Sequence, residues 1–146
     1  MTQRTSTILA LAALVSLESC SWTTLFIITN TTVVPIRVAY LAQPLRTEPA
    51  VAPNATIESN ARLWRPIQVP LAEGDSGVVE FVLGPDTAVL VAEIGTYTGY
   101  SDAVADWFTI KRLEVESPHG RRVVEGREVL GSFVERNKRL YVLEVH

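Results

Sequence analysis

From Leu25 onward, β-branched and aromatic side chains come in short runs, each closed off by Gly, Pro, Asn or Asp, and apolar residues rarely recur at helical spacing. That pattern predicts strands joined by turns. Leu25 to Thr29 and Val33 to Tyr40 flank Asn30-Thr31-Thr32, and Ile36, Val38 and Tyr40 alternate with Arg37 and Ala39, so an opening hairpin is expected. Pro35 has no backbone donor, which places its strand at an edge or gives it a bulge. Pro44, Pro49 and Pro53 break any continuous ladder between Gln43 and Pro53, predicting a surface loop. Arg62 to Val69 is a strand interrupted by Pro66. Val78 to Leu83 and Ala88 to Ile94, separated by Gly84-Pro85-Asp86-Thr87, are stronger ones. The second is apolar on nearly both faces, so it belongs in the middle of a sheet.

Trp107 to Val115 also alternates, but Phe108 and Ile110 share one parity while Leu113 and Val115 share the other. A β-bulge near Lys111 or Arg112 repairs the slip. Ser117-Pro118-His119-Gly120 suits a turn, and closing the chain there sets Glu116 opposite Arg121, Arg112 opposite Glu125, and Leu113 opposite Val124. Val129 to Val134 and Leu140 to Val145 then complete a meander around Arg136-Asn137-Lys138. Ser101 to Trp107, with Ser101 as N-cap, is the one helical candidate. About eight short strands with turns at near-regular spacing give an all-β chain, an antiparallel β-sandwich of immunoglobulin-like or transthyretin-like layout ahead of an open barrel.

The first twenty residues carry a different kind of information. Arg4 precedes an apolar run from Ile8 to Leu17, and the only cysteine, Cys20, follows shortly after. As a helix that run would extend about 15 Å, half a bilayer core, which suits an export signal rather than a membrane span. Leu17-Glu18-Ser19-Cys20 resembles the lipobox of bacterial lipoproteins. Leu17, Ser19 and Cys20 match that pattern, and Glu18 departs from it. The resemblance implies cleavage before Cys20 and lipid attachment to its thiol. With Ser21 after the cysteine, it also implies residence at the outer membrane. Each buried methylene contributes about 0.8 kcal/mol and one acyl chain holds only marginally, so stable anchoring takes two or three chains. The expected organisation is therefore a signal peptide over residues 1–19, a lipidated tether over 20–24 and a sandwich over 25–146. The opening hairpin resembles those of small uncharacterised envelope lipoproteins, and Trp22 beside the anchor suits the headgroup layer.

Charge excludes some functions. The chain carries a net charge of -3, and the basic side chains after Trp107 are interleaved with glutamates. Nucleic-acid binding needs a patch of one sign, so no such partner is expected. One cysteine and two histidines cannot build a structural zinc site, and no metal or cofactor is expected. Gly74-Asp75-Ser76-Gly77 resembles the surroundings of the nucleophilic serine in trypsin-like proteases. Both histidines lie downstream of it, however, so a glycine-flanked turn is the better reading. Glu114 and Glu116 share a strand face and their hairpin partners include Arg121, which reads as a solvated charge ladder rather than a catalytic pair. Asn30-Thr31-Thr32 and Asn54-Ala55-Thr56 read as turn chemistry.

Recognition is the remaining function class. Gly95-Thr96-Tyr97-Thr98-Gly99-Tyr100, followed by Asp102, Asp106 and Trp107, places aromatics beside glycines and carboxylates. Tyr97, Tyr100, Asp102 and Trp107 are thus the candidate binding residues, although the same bulky side chains would also roof a sandwich core. The expectation is a membrane-anchored, non-catalytic binding or assembly module with an envelope protein or glycan as partner. The alternatives are a periplasmic hydrolase with carboxylates near Asp102 and Asp106, and an inhibitor-like module that presents an edge strand.

Overall fold

The computed structural model describes residues 21–56, 64–67, 77–97, 103–137 and 139–146, with backbone alone at residues 21, 22, 56, 96, 97 and 103. Its strands, in chain order, are β1 (Ser21–Asn30), β2 (Ile36–Ala42), β3 (Ala50–Pro53), β4 (Arg65–Pro66), β5 (Gly77–Leu83), β6 (Thr87–Tyr97), β7 (Ile110–Ser117), β8 (Gly120–Glu125), β9 (Val134–Asn137) and β10 (Leu140–Val145). Among the described residues two short helices, α1 (Ala103–Trp107) and α2 (Arg127–Gly131), interrupt them. The strands form a six-stranded sheet in the order β4-β3-β6-β1-β10-β9 and a four-stranded sheet in the order β5-β2-β7-β8. The all-β sandwich expected from the turn spacing is therefore the fold. Among the described residues all pairings are antiparallel except that of β1 with β10, which runs parallel from Leu25 opposite Leu140 to Asn30 opposite Val145.

Side-chain alternation explains the layering. Ile36, Val38, Tyr40 and Ala42 of β2 point inward, as do Phe26 and Ile28 of β1, Val89 and Val91 of β6, and Leu113 and Val115 of β7. At the centre the Phe26 ring stands 4.8 Å from Phe108, 4.9 Å from Tyr141 and 5.5 Å from Phe133, a cluster worth more than its buried area alone. The outer faces of the two sheets differ. That of the four-stranded sheet is a ladder of ion pairs, Arg37 to Glu80 at 2.6 Å, Arg121 to Glu114 at 2.7 Å and Arg112 to Glu125 at 3.4 Å. That of the six-stranded sheet holds a second apolar cluster, Ile27, Ala50, Ala88, Leu90, Leu140 and Val142, against which Trp64 packs. Burial on both faces is why β1 and β6 read as near-continuous apolar runs, and β6 lies inside its sheet as expected.

The β7–β8 hairpin matches the sequence reading rung for rung, with Glu116 opposite Arg121, Arg112 opposite Glu125 and Leu113 opposite Val124. The bulge is there too. Leu41 pairs with Arg112 and Ala42 with Ile110, leaving Lys111 as the extra residue, whose carbonyl accepts from Gly126 N–H at 2.9 Å.

Other expectations are corrected. β1 and β2 do not form a hairpin: the chain arches between sheets at residues 31–35, so β1 pairs with β6 and β10 while β2 pairs with β5 and β7. Pro35 lies just before β2, so its missing donor costs no rung, and β2 is internal rather than an edge. The loop expected through Pro53 ends earlier, because Ala50–Pro53 pair with β6. Of the strand expected over Arg62 to Val69, Arg65–Pro66 pair with β3, while residues 62, 63, 68 and 69 lie outside the described residues. Residues 21–24, assigned to a tether, instead form the first rungs of β1 against β6. Val129 to Val134 is not one strand. Gly126, with φ of 60°, turns the chain into α2, whose Val129 lies four residues before Phe133, so both plug the core before β9 begins.

Candidate functional site

β1 runs the length of the sandwich, and its two ends carry different features. At the Ser21 end, Ser21 pairs with Tyr97 and Thr23 with Gly95. Trp107, the last residue of α1, stands beside this end 54% exposed, with the Arg46 guanidinium carbon 5.2 Å from its ring centre. Arg46, Thr47, Glu93, Gly95, Trp107 and Thr109 border a groove of about 230 Å³ there. Of the four residues expected to bind, Trp107 is thus exposed at this end. Tyr97 closes β6 with its backbone, and its side chain, together with Tyr100 and Asp102, lies outside the described residues. Asp106 is exposed, and among the described residues no group of three or more His, Cys, Asp or Glu could hold a metal ion. Cys20 and the residues 74–76 of the serine motif also lie outside the described residues, and Gly77 opens β5.

The Asn30 end holds a larger and more open depression, of about 330 Å³, on the outer face of the six-stranded sheet. Its floor is Thr29 of β1 with Leu140, Val142 and Glu144 of β10, brought together because Thr29 is the parallel partner of Glu144. One wall is the 3₁₀ turn Asn54–Thr56 that follows β3, and the other is Arg136 of β9, which is paired with Glu144. Glu144 also faces His146, whose Nε2 is 3.4 Å from Oε2, and Thr31 Oγ1 lies 2.9 Å from His146 Nδ1.

Polar atoms around this depression are unevenly satisfied. Asn54 donates its Nδ2 to the Asn30 carbonyl at 2.9 Å, and its backbone N–H donates to the Asp86 carbonyl at 2.9 Å. The first bond orients the side-chain amide and the second holds the backbone, and Asn54 Oδ1 is left buried without a partner, as is Thr29 Oγ1, on a residue only 4% exposed. Unmet buried polar atoms of this kind cost about 1–3 kcal/mol each, and both lie beneath the surface of the depression rather than open to it.

The sequence flagged Asn30 and Asn54 only as turn residues. Thr29, Asn54, Arg136 and Glu144 lie far apart in the chain, and their spacing gives no sign that the fold gathers them. A polar residue ending an otherwise apolar strand, as Thr29-Asn30 does, was the one available signal. No family model, curated protein or solved structure matches the chain.

Proposed function

We propose that this chain is an envelope lipoprotein, cut before Cys20 and lipidated on its thiol, whose sandwich acts as a non-catalytic binding module at the outer membrane. The observation that supports this most directly is the course of β1. It begins at Ser21, the residue after Cys20, and reaches the depression at Thr29, roughly 26 Å away at about 3.3 Å per residue. A lipid on Cys20 would therefore join a paired strand with no flexible spacer, holding the Asn30 end away from the bilayer. An exposed Trp107 with Arg46 beside it suits the opposite, lipid-facing end, where indole favours the headgroup layer and arginine favours phosphate.

The test is to grow cells expressing the full chain with a labelled fatty acid. Label on the wild-type protein and none on Cys20→Ala is the expected outcome. Label retained by the variant, or a free thiol on the native protein, rejects the anchor. Crosslinking in intact envelopes then names the partner.

A further inference from the structure

We infer that the groove between Arg46 and Trp107 binds the headgroup of a bilayer phospholipid that carries both a phosphate and a primary ammonium, as phosphatidylethanolamine does. The inference rests on reading Cys20 as a lipid anchor, and it names what the same end of the sandwich holds at the bilayer surface.

The groove presents exposed charges of both signs. Arg46, Glu93 and Trp107 are all exposed, and the Arg46 guanidinium carbon lies 5.2 Å from the Trp107 ring centre while Glu93 lines the same groove. Among the described residues neither Arg46 nor Glu93 forms an ion pair, whereas Arg37, Arg112, Arg121 and Arg136 each hold a glutamate. A simple ion of either sign would meet one like charge there. A headgroup whose phosphate and ammonium are joined by a short link satisfies both, with phosphate on the guanidinium and ammonium on the carboxylate.

Thr47 adds a donor. Its Oγ1 accepts from the Glu93 N–H at 3.0 Å, which leaves its hydroxyl hydrogen to give to a phosphate oxygen. Trp107, 54% exposed, supplies the apolar edge, and indole favours the layer where headgroups meet acyl chains.

Size and place select a lipid over a free solute. About 230 Å³ is below the range of cavities that enclose a drug-sized ligand, so the groove takes a headgroup whose tails stay outside it. Its rim includes Gly95, which pairs with Thr23 of β1, three residues after Cys20. At about 3.3 Å per residue that is roughly 10 Å along the strand, so acyl chains on Cys20 bring the groove to the bilayer surface with the fold unchanged.

The experiment inserts the full lipidated chain into phosphatidylcholine vesicles that contain rising amounts of phosphatidylethanolamine or phosphatidylglycerol, each brominated in the upper acyl chain. Bromine quenches nearby indole, and the share of quenching that Trp107→Phe removes belongs to Trp107. The expected result is half-maximal quenching at about tenfold less phosphatidylethanolamine than phosphatidylglycerol, the gap that one charge-assisted contact supplies. Glu93→Gln should abolish the gap, and Arg46→Ala should weaken quenching by both lipids. Equal quenching by the two lipids, or a gap unchanged in Glu93→Gln, would overturn the headgroup assignment. Quenching identical in wild type and Trp107→Phe would overturn the site. Val33→Trp, at a position 91% exposed in the arch at the far end, should add no quenching, and strong quenching there would overturn the orientation that brings the groove to the lipid. Fatty-acid labelling of the same preparation separates the two readings. A labelled chain without the gap rejects the groove and keeps the anchor, and an unlabelled chain that shows the gap rejects the anchor and keeps the groove.

Discussion

Asn30 donates its side-chain amide to the Leu83 carbonyl at 3.0 Å, so the last residue of β1 in one sheet holds the last residue of β5 in the other. The same nitrogen reaches the Gly84 carbonyl at 3.0 Å and the Val34 carbonyl at 2.8 Å, while Oδ1 accepts from Thr32 N–H and Oγ1. One fully buried amide therefore closes two of the places where the chain crosses between sheets, the 31–35 arch and the turn into β6.

Asn30→Ala should destabilise the protein by about 3 kcal/mol, because it removes the side-chain donor to the Leu83 and Gly84 carbonyls, while the Val34 carbonyl keeps the Thr32 hydroxyl at 2.7 Å. Asn30→Asp should cost at least as much, since a carboxylate cannot donate to them and would itself be buried. Urea unfolding followed by far-UV circular dichroism measures both. A loss below about 1 kcal/mol for either would show the arches to be held by other means.

Tyr40 gives the opposite sign. Its ring fills the core at 2% exposure, but its hydroxyl has no hydrogen-bond partner, and burial raises its ionisation well above the ordinary tyrosine value. Tyr40→Phe should leave stability unchanged or raise it by about 1 kcal/mol. Because the folded pKa is raised, this tyrosine's contribution is fully present below about pH 10 and is lost as pH climbs above that, so the variant should resist alkaline unfolding better than wild type.

Gly77 opens β5 where an added Cβ would stand 2.3 Å from the Ala42 carbonyl oxygen and 2.9 Å from Leu45 Cβ. The obstacle is backbone of the paired strand, which cannot swing aside without breaking the Gly77–Ala42 rung. Gly77→Ala should cost roughly 1–3 kcal/mol, read as a lower thermal midpoint, while Gly95→Ala, with open space around it, should cost much less.

Glu114 is the inner member of the charge ladder, held bidentate by Arg121 at 2.7 and 2.8 Å. That bond, with the nearby charges of Arg121 and Arg112, keeps its carboxyl below the usual glutamate range. A depressed folded pKa means its stabilisation is present above about pH 4.3 and is lost as pH falls through the lower folded value. Glu114→Gln should therefore be less stable than wild type at neutral pH, and the gap should close as the pH drops below about 4. A gap that stays constant down to pH 2 would rule out the ion pair as its source.

Much of the β7–β8 unit was legible because its information is local. The turn residues at 117–120 set the closure, closure sets which residues face each other, and parity shows where a bulge must fall. The arch at 31–35 was misread because three polar residues between two apolar runs serve a hairpin and a crossing equally well. Val129 to Val134 was misread for a related reason: six residues rich in β-branched and aromatic types suit a strand, and only the fit of Val129 and Phe133 against Phe26 and its neighbours favours a helical turn. Of the candidate binding residues, Trp107 stands exposed near the Ser21 end, whereas the depression at the other end draws on β1, β9, β10 and the turn after β3.

Residue order alone decided that this chain is built of strands, where most of them lie, and the register of the one hairpin whose turn is spelled out in consecutive residues. It also placed the cysteine beside the first strand. Tertiary structure decided which sheet each strand joins, that the first and last strands run parallel side by side, and that Thr29, Asn54, Arg136 and Glu144 meet around one depression. Strand formation follows from side-chain alternation over neighbouring residues, but partner choice depends on burying two sheet faces at once, and that requirement exists only when the whole chain is folded.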